Sequence, residues 1–188
     1  MFRSAICALA ALGLTIGAAA DASALSYSSA SAYRVQQQPR AGSCAARGRG
    51  LFALPDPRCT PGALNPSVRQ STIYSTICRS GWTSTVRPPE WVSESEKYAS
   101  MRAYRRGSEV WRYEYDHLVP LELGGAVNAP RNLWPELDYA QPHGFYNHNP
   151  KDEVEYRLRN LVCDGAMRLS VAQNLIATNW AAAWRRYG

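Results

Sequence analysis

Apolar positions recur along this chain with two different periods. From Ser93, with Glu96 three residues later as in a capping box, Tyr98, Met101 and Tyr104 fall at helical spacing, and Gly107 offers a stop. The period then shortens to two. Over Val110 to Tyr115, Trp111, Tyr113 and Tyr115 alternate with Arg112 and Glu114, which predicts a strand. Glu122-Leu123-Gly124-Gly125 reads as a loop, and Asn132-Leu133-Trp134 as a short second strand ending before Pro135. Asp138 to Asn149, with its Pro, Gly, Asn and His residues, is a further loop. Asn149 can cap a helix whose first residue is Pro150, and Val154, Leu158, Leu161 and Val162 make its apolar stripe. A last helix is predicted from Ser170, with Val171, Leu175, Ile176, Trp180 and Trp184 facing inward. Trp134, Trp180 and Trp184 are accordingly expected in the core. The order helix, strand, loop, strand, loop, helix, helix is that of an α+β fold.

The amino-terminal end has no such periodicity. Met1-Phe2-Arg3, the uncharged apolar run from Ala5 to Gly17 and the small residues from Ala18 to Ala24 have the layout of a secretory signal peptide. Residues 25–50, rich in Ser, Ala, Gln, Gly and Arg, are expected to be a flexible basic lead-in. Structure is expected to begin near Leu51 and to form one domain over 51–188. Within it, Asn65 to Arg79 reads as a helix followed by a strand. No later segment is long and apolar enough to span a bilayer, so the mature chain is expected in the periplasm or the medium. Four cysteines remain after the signal: Cys44, Cys59, Cys78 and Cys163. In an exported chain they are disulfide candidates, with three possible pairings and one bridge expected from the amino-terminal arm to the domain containing Cys163. None has the C-x-x-C spacing of a zinc knuckle.

Charge is uneven. The formal net charge is +6, and Leu25 to Glu90 holds eight Arg against only Asp56 and Glu90. Such a surface attracts polyanions. Arg102, Arg105 and Arg106, on the polar side of the first helix, are candidate phosphate contacts; Lys151, in the first turn of a later helix, is another.

The segment from Tyr115 to Gly125 carries the chemistry. A strand delivers Asp116-His117, a Gly-containing loop turns the chain, and Asn132 returns fifteen residues after the histidine. Hydrolysis of a phosphodiester needs a base that is neutral near pH 7, which histidine supplies. It needs a cation against the phosphate, which carboxylates can hold. It also needs the ring held in one orientation, which an Asn side chain can do.

Asp116-His117, the Gly-Gly loop, Asn132-Leu133 and the following helix resemble the HNH, or ββα-metal, nuclease motif. The chain is further similar to a group of exported bacterial HNH-family proteins. That likeness runs through Cys59-Thr60-Pro61-Gly62, Thr76-Ile77-Cys78, Gly81-Trp82-Thr83 and Val86-Arg87-Pro88. It continues through Asn132 to Glu136, Lys151-Asp152-x-x-Glu155, Val162-Cys163-x-Gly165 and Ala172-Gln173. The resemblance implies that His117 is the general base, Asp116 a metal ligand, and Asn132 either an orienting residue or a ligand. The family's third position is usually His or Asn, and here the chain departs from it. Asp152 is the best-placed substitute, with His148 just before it, Glu155 one turn on and His143 in the loop. Oxygen ligation would favour Mg²⁺ or Mn²⁺, and a His148 ligand would admit Zn²⁺ or Ni²⁺. The implied activity is a metal-dependent endonuclease with little sequence preference, acting on DNA first and RNA second. The alternative is an exported DNA-binding protein that has kept the fold and lost turnover.

Overall fold

The computed structural model describes residues 33–138 and 149–188. The signal segment and the loop residues His143 and His148 lie outside them. The fold is α+β: helices around one two-stranded antiparallel sheet, with two disulfides. A short helix α1, Trp82–Val86, precedes α2, Glu90–Ala103. Strands β1, Tyr113–His117, and β2, Leu133–Leu137, follow, then α3, Pro150–Cys163, and α4, Leu169–Tyr187.

Helix α2 starts earlier than its pattern suggested. Pro89 is its cap, and Ser93 Oγ bonds back to the Glu90 carbonyl within the helix instead of capping it. Glu96 is fully buried and serves another purpose, accepting from Gln36 N at 2.6 Å and from Tyr115 OH at 3.3 Å. The helix also stops before Gly107. Arg105 takes the left-handed conformation at φ 55°, and Arg106 N–H reaches back to the Met101 carbonyl. That is a Schellman ending, with arginine where glycine is usual.

Val110–Arg112 is a turn of 3₁₀ helix, not strand, so β1 begins three residues later and ends on His117. Strand β2 runs straight through Pro135, which the sequence placed beyond it. The register explains why. Leu118 N–H donates to the Asn132 carbonyl at 2.7 Å, so the facing pair His117–Leu133 is a non-hydrogen-bonded one. Tyr115–Pro135, two residues along, is therefore another, and the proline nitrogen points away from the ladder.

The main core lies between α3 and α4 and the segments beneath them. Val154, Leu158 and Val162 meet Ile176, Trp180, Ile73, Ile77 and Leu118 there. Asn149 caps α3 as expected, its side chain accepting from Lys151 N. Helix α4 starts at Leu169, not Ser170, because Gln70 Oε1 accepts the Leu169 N–H at 2.8 Å. Its buried face falls on Leu169, Ala172, Gln173, Ile176 and Trp180, so Val171 is exposed and Leu175 and Trp184 are only half-buried. The helix breaks at Asn179, whose Oδ1 then caps the last turns by accepting from Ala182 N. Residues 65–79 contain a 3₁₀ helix, Gln70–Ser75, and turns, with no strand. Their Val68, Ile73 and Ile77 are core residues all the same.

Residues 33–50 have little regular structure, as their composition predicts, yet they are tied to the domain. Tyr33 OH donates to the Val86 carbonyl, Asn128 Nδ2 to the Arg34 carbonyl, and Arg47 pairs with Leu54. Cys44–Cys59 ties the arm to the domain, while Cys163 joins Cys78. The expected bridge from the arm to the domain is thus Cys44–Cys59, and Cys163 itself bonds to the segment before α1. No helix among the described residues is long and apolar enough to cross a membrane.

Candidate functional site

The site forms where the end of β1 meets the first turn of α3. Alternation along β1 places Glu114 and Asp116 on one face, and their cross-strand partners are Glu136 and Trp134. Helix α3 lies over this face. Asn149 Nδ2 donates to Glu114 Oε1 at 2.9 Å. Lys151 reaches further in: its ammonium donates to Asp116 Oδ2 at 2.5 Å, to the His117 carbonyl at 2.8 Å and to Glu155 Oε1. Glu136 Oε2 stands 3.9 Å away. Lys151 is only 1% exposed, so it is not the phosphate contact expected from the sequence.

This is a crowd of acids around one cation. Burial pushes the Glu136 and Glu155 carboxyls well above their usual range, and burial with the Asp116 charge holds Glu114 up to about 7. Burial opposes the charge on Lys151, but Asp116, Glu155 and Glu136 together outweigh it and raise its pKa well above normal.

His117 closes the strand. Its Nε2 lies 2.9 Å from the Val127 carbonyl oxygen. A carbonyl only accepts, so Nε2 carries the proton and Nδ1 keeps its lone pair. Burial lowers the ring's pKa below the ordinary 6.5, which keeps it neutral near pH 7. That is the state a general base requires.

Asn132 does not touch the histidine. It is fully buried, its Oδ1 accepts from Val119 N at 2.9 Å, and its Nδ2 donates to the carbonyls of Val119 and Ala126. It staples the two ends of the loop that holds Val127, and so orients His117 through the backbone. All its polar capacity goes to that loop. Gly125 is part of the same device, because a Cβ there would lie 1.8 Å from the Val119 oxygen and 2.7 Å from Asn132 Nδ2.

His117 borders two clefts. The smaller, about 270 Å³, is lined by Arg87, Glu114, Asp116, Glu122 and Asp152. The larger, about 550 Å³, extends past Arg87, Lys97, Tyr113 and the half-exposed Trp111. Asp152 is exposed on the rim of the smaller one, and Glu155 is taken up by Lys151. Arg105 and Arg106 line neither. Arg105 Nη2 holds the arm at the Gly42 carbonyl, and the Arg106 guanidinium lies over the Tyr113 ring. Sequence reasoning missed Arg87, Glu114, Glu122 and Glu136. Glu114 was within reach of it, since a period of two carries the face of Asp116 back to that residue.

The described residues, as they stand, do not gather round a divalent ion. Among the described residues no three His, Cys, Asp or Glu side chains converge to hold one, and Asp116 and Glu155 are turned onto the Lys151 ammonium. Compared with protein-family models, with curated proteins and with solved structures, the chain matches none.

Proposed function

We propose that this chain is an exported nuclease of the HNH type that hydrolyses nucleic-acid phosphodiesters, DNA before RNA, with little sequence preference. The observation that supports it best is His117: a neutral ring at a strand end, its Nε2–H donated to Val127 and its Nδ1 lone pair left for water. The succession of β1, a stapled loop, β2 and α3 agrees with a ββα arrangement. In this reading Nδ1 takes a proton from water, and the water oxygen bonds to phosphorus. The bond from phosphorus to the leaving oxygen breaks, and that oxygen collects a proton from solvent. Arg87, lining both clefts, is the cation placed to meet the phosphate. Mg²⁺ or Mn²⁺, with Zn²⁺ or Ni²⁺ behind them, are the ions against which cutting is to be tested.

The second reading, an exported DNA-binding protein without turnover, is favoured by the Lys151 arrangement, which occupies carboxylates that a catalytic ion would use. Digestion of plasmid and single-stranded DNA by the purified, oxidised protein separates the two. It is run in EDTA and in each of the four ions, beside His117→Ala. Cutting that disappears in His117→Ala is the expected result. DNA retained in a gel shift and left intact in every condition would establish the binding protein.

A further inference from the structure

We infer that Lys151 is the resident cation of this site, its ammonium standing where a divalent ion would otherwise sit among Asp116, Glu155, Glu136 and the His117 carbonyl. The inference rests on the nuclease reading for its catalytic meaning only; its test is one of binding.

An ammonium has three N–H donors, and here each has an oxygen: Asp116 Oδ2, Glu155 Oε1 and the His117 carbonyl. Glu136 Oε2 at 3.9 Å adds a third carboxyl group. Carboxylates and a backbone carbonyl are the donor set of a hard divalent cation. The helix supplies its own substitute, and Lys151 at 1% exposure has neither water nor substrate as an alternative partner. A buried charge of this kind is tolerated only when fully paired. An ion entering the cluster would stand beside a buried ammonium, and repulsion between the two cations in this dry site opposes its binding.

The position also has a consequence for His117. Lys151 ties the carboxylate of Asp116 and the main chain of His117 to α3 through one atom. It is therefore a positioning residue for the base, and it makes hydrolysis independent of an ion held at this cluster.

Lys97 and Lys151 are the only lysines, which makes the test direct. In wild-type protein labelled with ¹⁵N-lysine, one ammonium signal should exchange slowly with water and stay unmoved through a Mg²⁺ titration to millimolar concentration. A saturable shift or loss of that signal would overturn the inference. In parallel, Mn²⁺ binding is followed by electron paramagnetic resonance in wild type, Lys151→Ala and Asp116→Asn. Folded Lys151→Ala should gain a site at least about tenfold tighter than any in wild type. Folded Lys151→Ala without that gain, or a wild-type site lost in Asp116→Asn, would also refute it. If Lys151→Ala does not fold, the wild-type titration decides alone. None of these readings depends on DNA being cut, so failure of the nuclease assay and failure of this inference are separable.

Discussion

His117 owes its character to one carbonyl and to burial. With Nε2 committed to Val127 and the pKa held below 6.5, the proposed nuclease reaction should be level near pH 7. It should fall only as the pH drops through the lowered value, where the ring gains a proton and Nδ1 loses its lone pair. A pH–rate profile with its acid limb at or above 6.5 would contradict this. Asn132 makes the stronger structural prediction. Asn132→Ala strands Val119 N–H and two carbonyls in a buried loop, for a loss of about 3 kcal/mol in a urea titration. Gly125→Ala should displace the same loop, since backbone lies 1.8 Å from the added carbon. The placing of Asp116 and His117 at a strand end, and of Asn132 just before the next strand, was legible in the sequence because that pattern is local. Lys151 was not. A charged residue in a first helical turn reads as surface, and only the approach of α3 to β1 from 34 residues away turns it inward.

Elements were legible where their signals were internal to them. Asn149-Pro150 fixed the start of α3, because a cap and a first-position proline act within one turn. Asn149→Ala should cost about 1–2 kcal/mol in thermal or urea unfolding, as it removes the cap and also the donor to Glu114 Oε1. The start of α4 was misread because an N–H there is met from elsewhere, by Gln70, about 100 residues earlier in the chain. The strands shifted for a similar reason. Two strands of five residues take their limits from each other, and Pro135 is harmless in a sheet with no third strand.

At the scale of the molecule, carboxyl burial and carboxyl pairing set opposite limits on stability. Glu114, held up to about 7 against an ordinary 4.5, contributes fully below pH 4.5 and loses that contribution as the pH rises through 7. Glu136 and Glu155 act in the same direction. Asp56, held well below the carboxylate range by Arg58, contributes above its usual value of 3.8 and loses this as the pH falls. The melting temperature should therefore decline from pH 5 to pH 8, and Glu114→Gln should flatten the slope. A slope unchanged by that substitution would remove Glu114 as a cause.

The two disulfides divide the work unequally. Cys44–Cys59 closes a short span of 15 residues, whereas Cys78–Cys163 closes 85 and fastens the end of α3. On chain-entropy grounds Cys78→Ser with Cys163→Ser should cost roughly 4 kcal/mol, against about 3 for the shorter span, measured by urea unfolding. Composition gave the four thiols, but their pairing depends on the packing of α3 over residues 65–79, which no local pattern encodes.

The longer bridge also works as a clock. In a thiol-reducing interior neither bond persists, so a newly made chain there lacks the tether on the very helix that carries Lys151. Oxidation adds a covalent tether at the carboxy-terminal end of the helix whose first turn carries the charge beside His117. The seating of that helix is thus bound up with the redox chemistry of the compartment in which the chain folds.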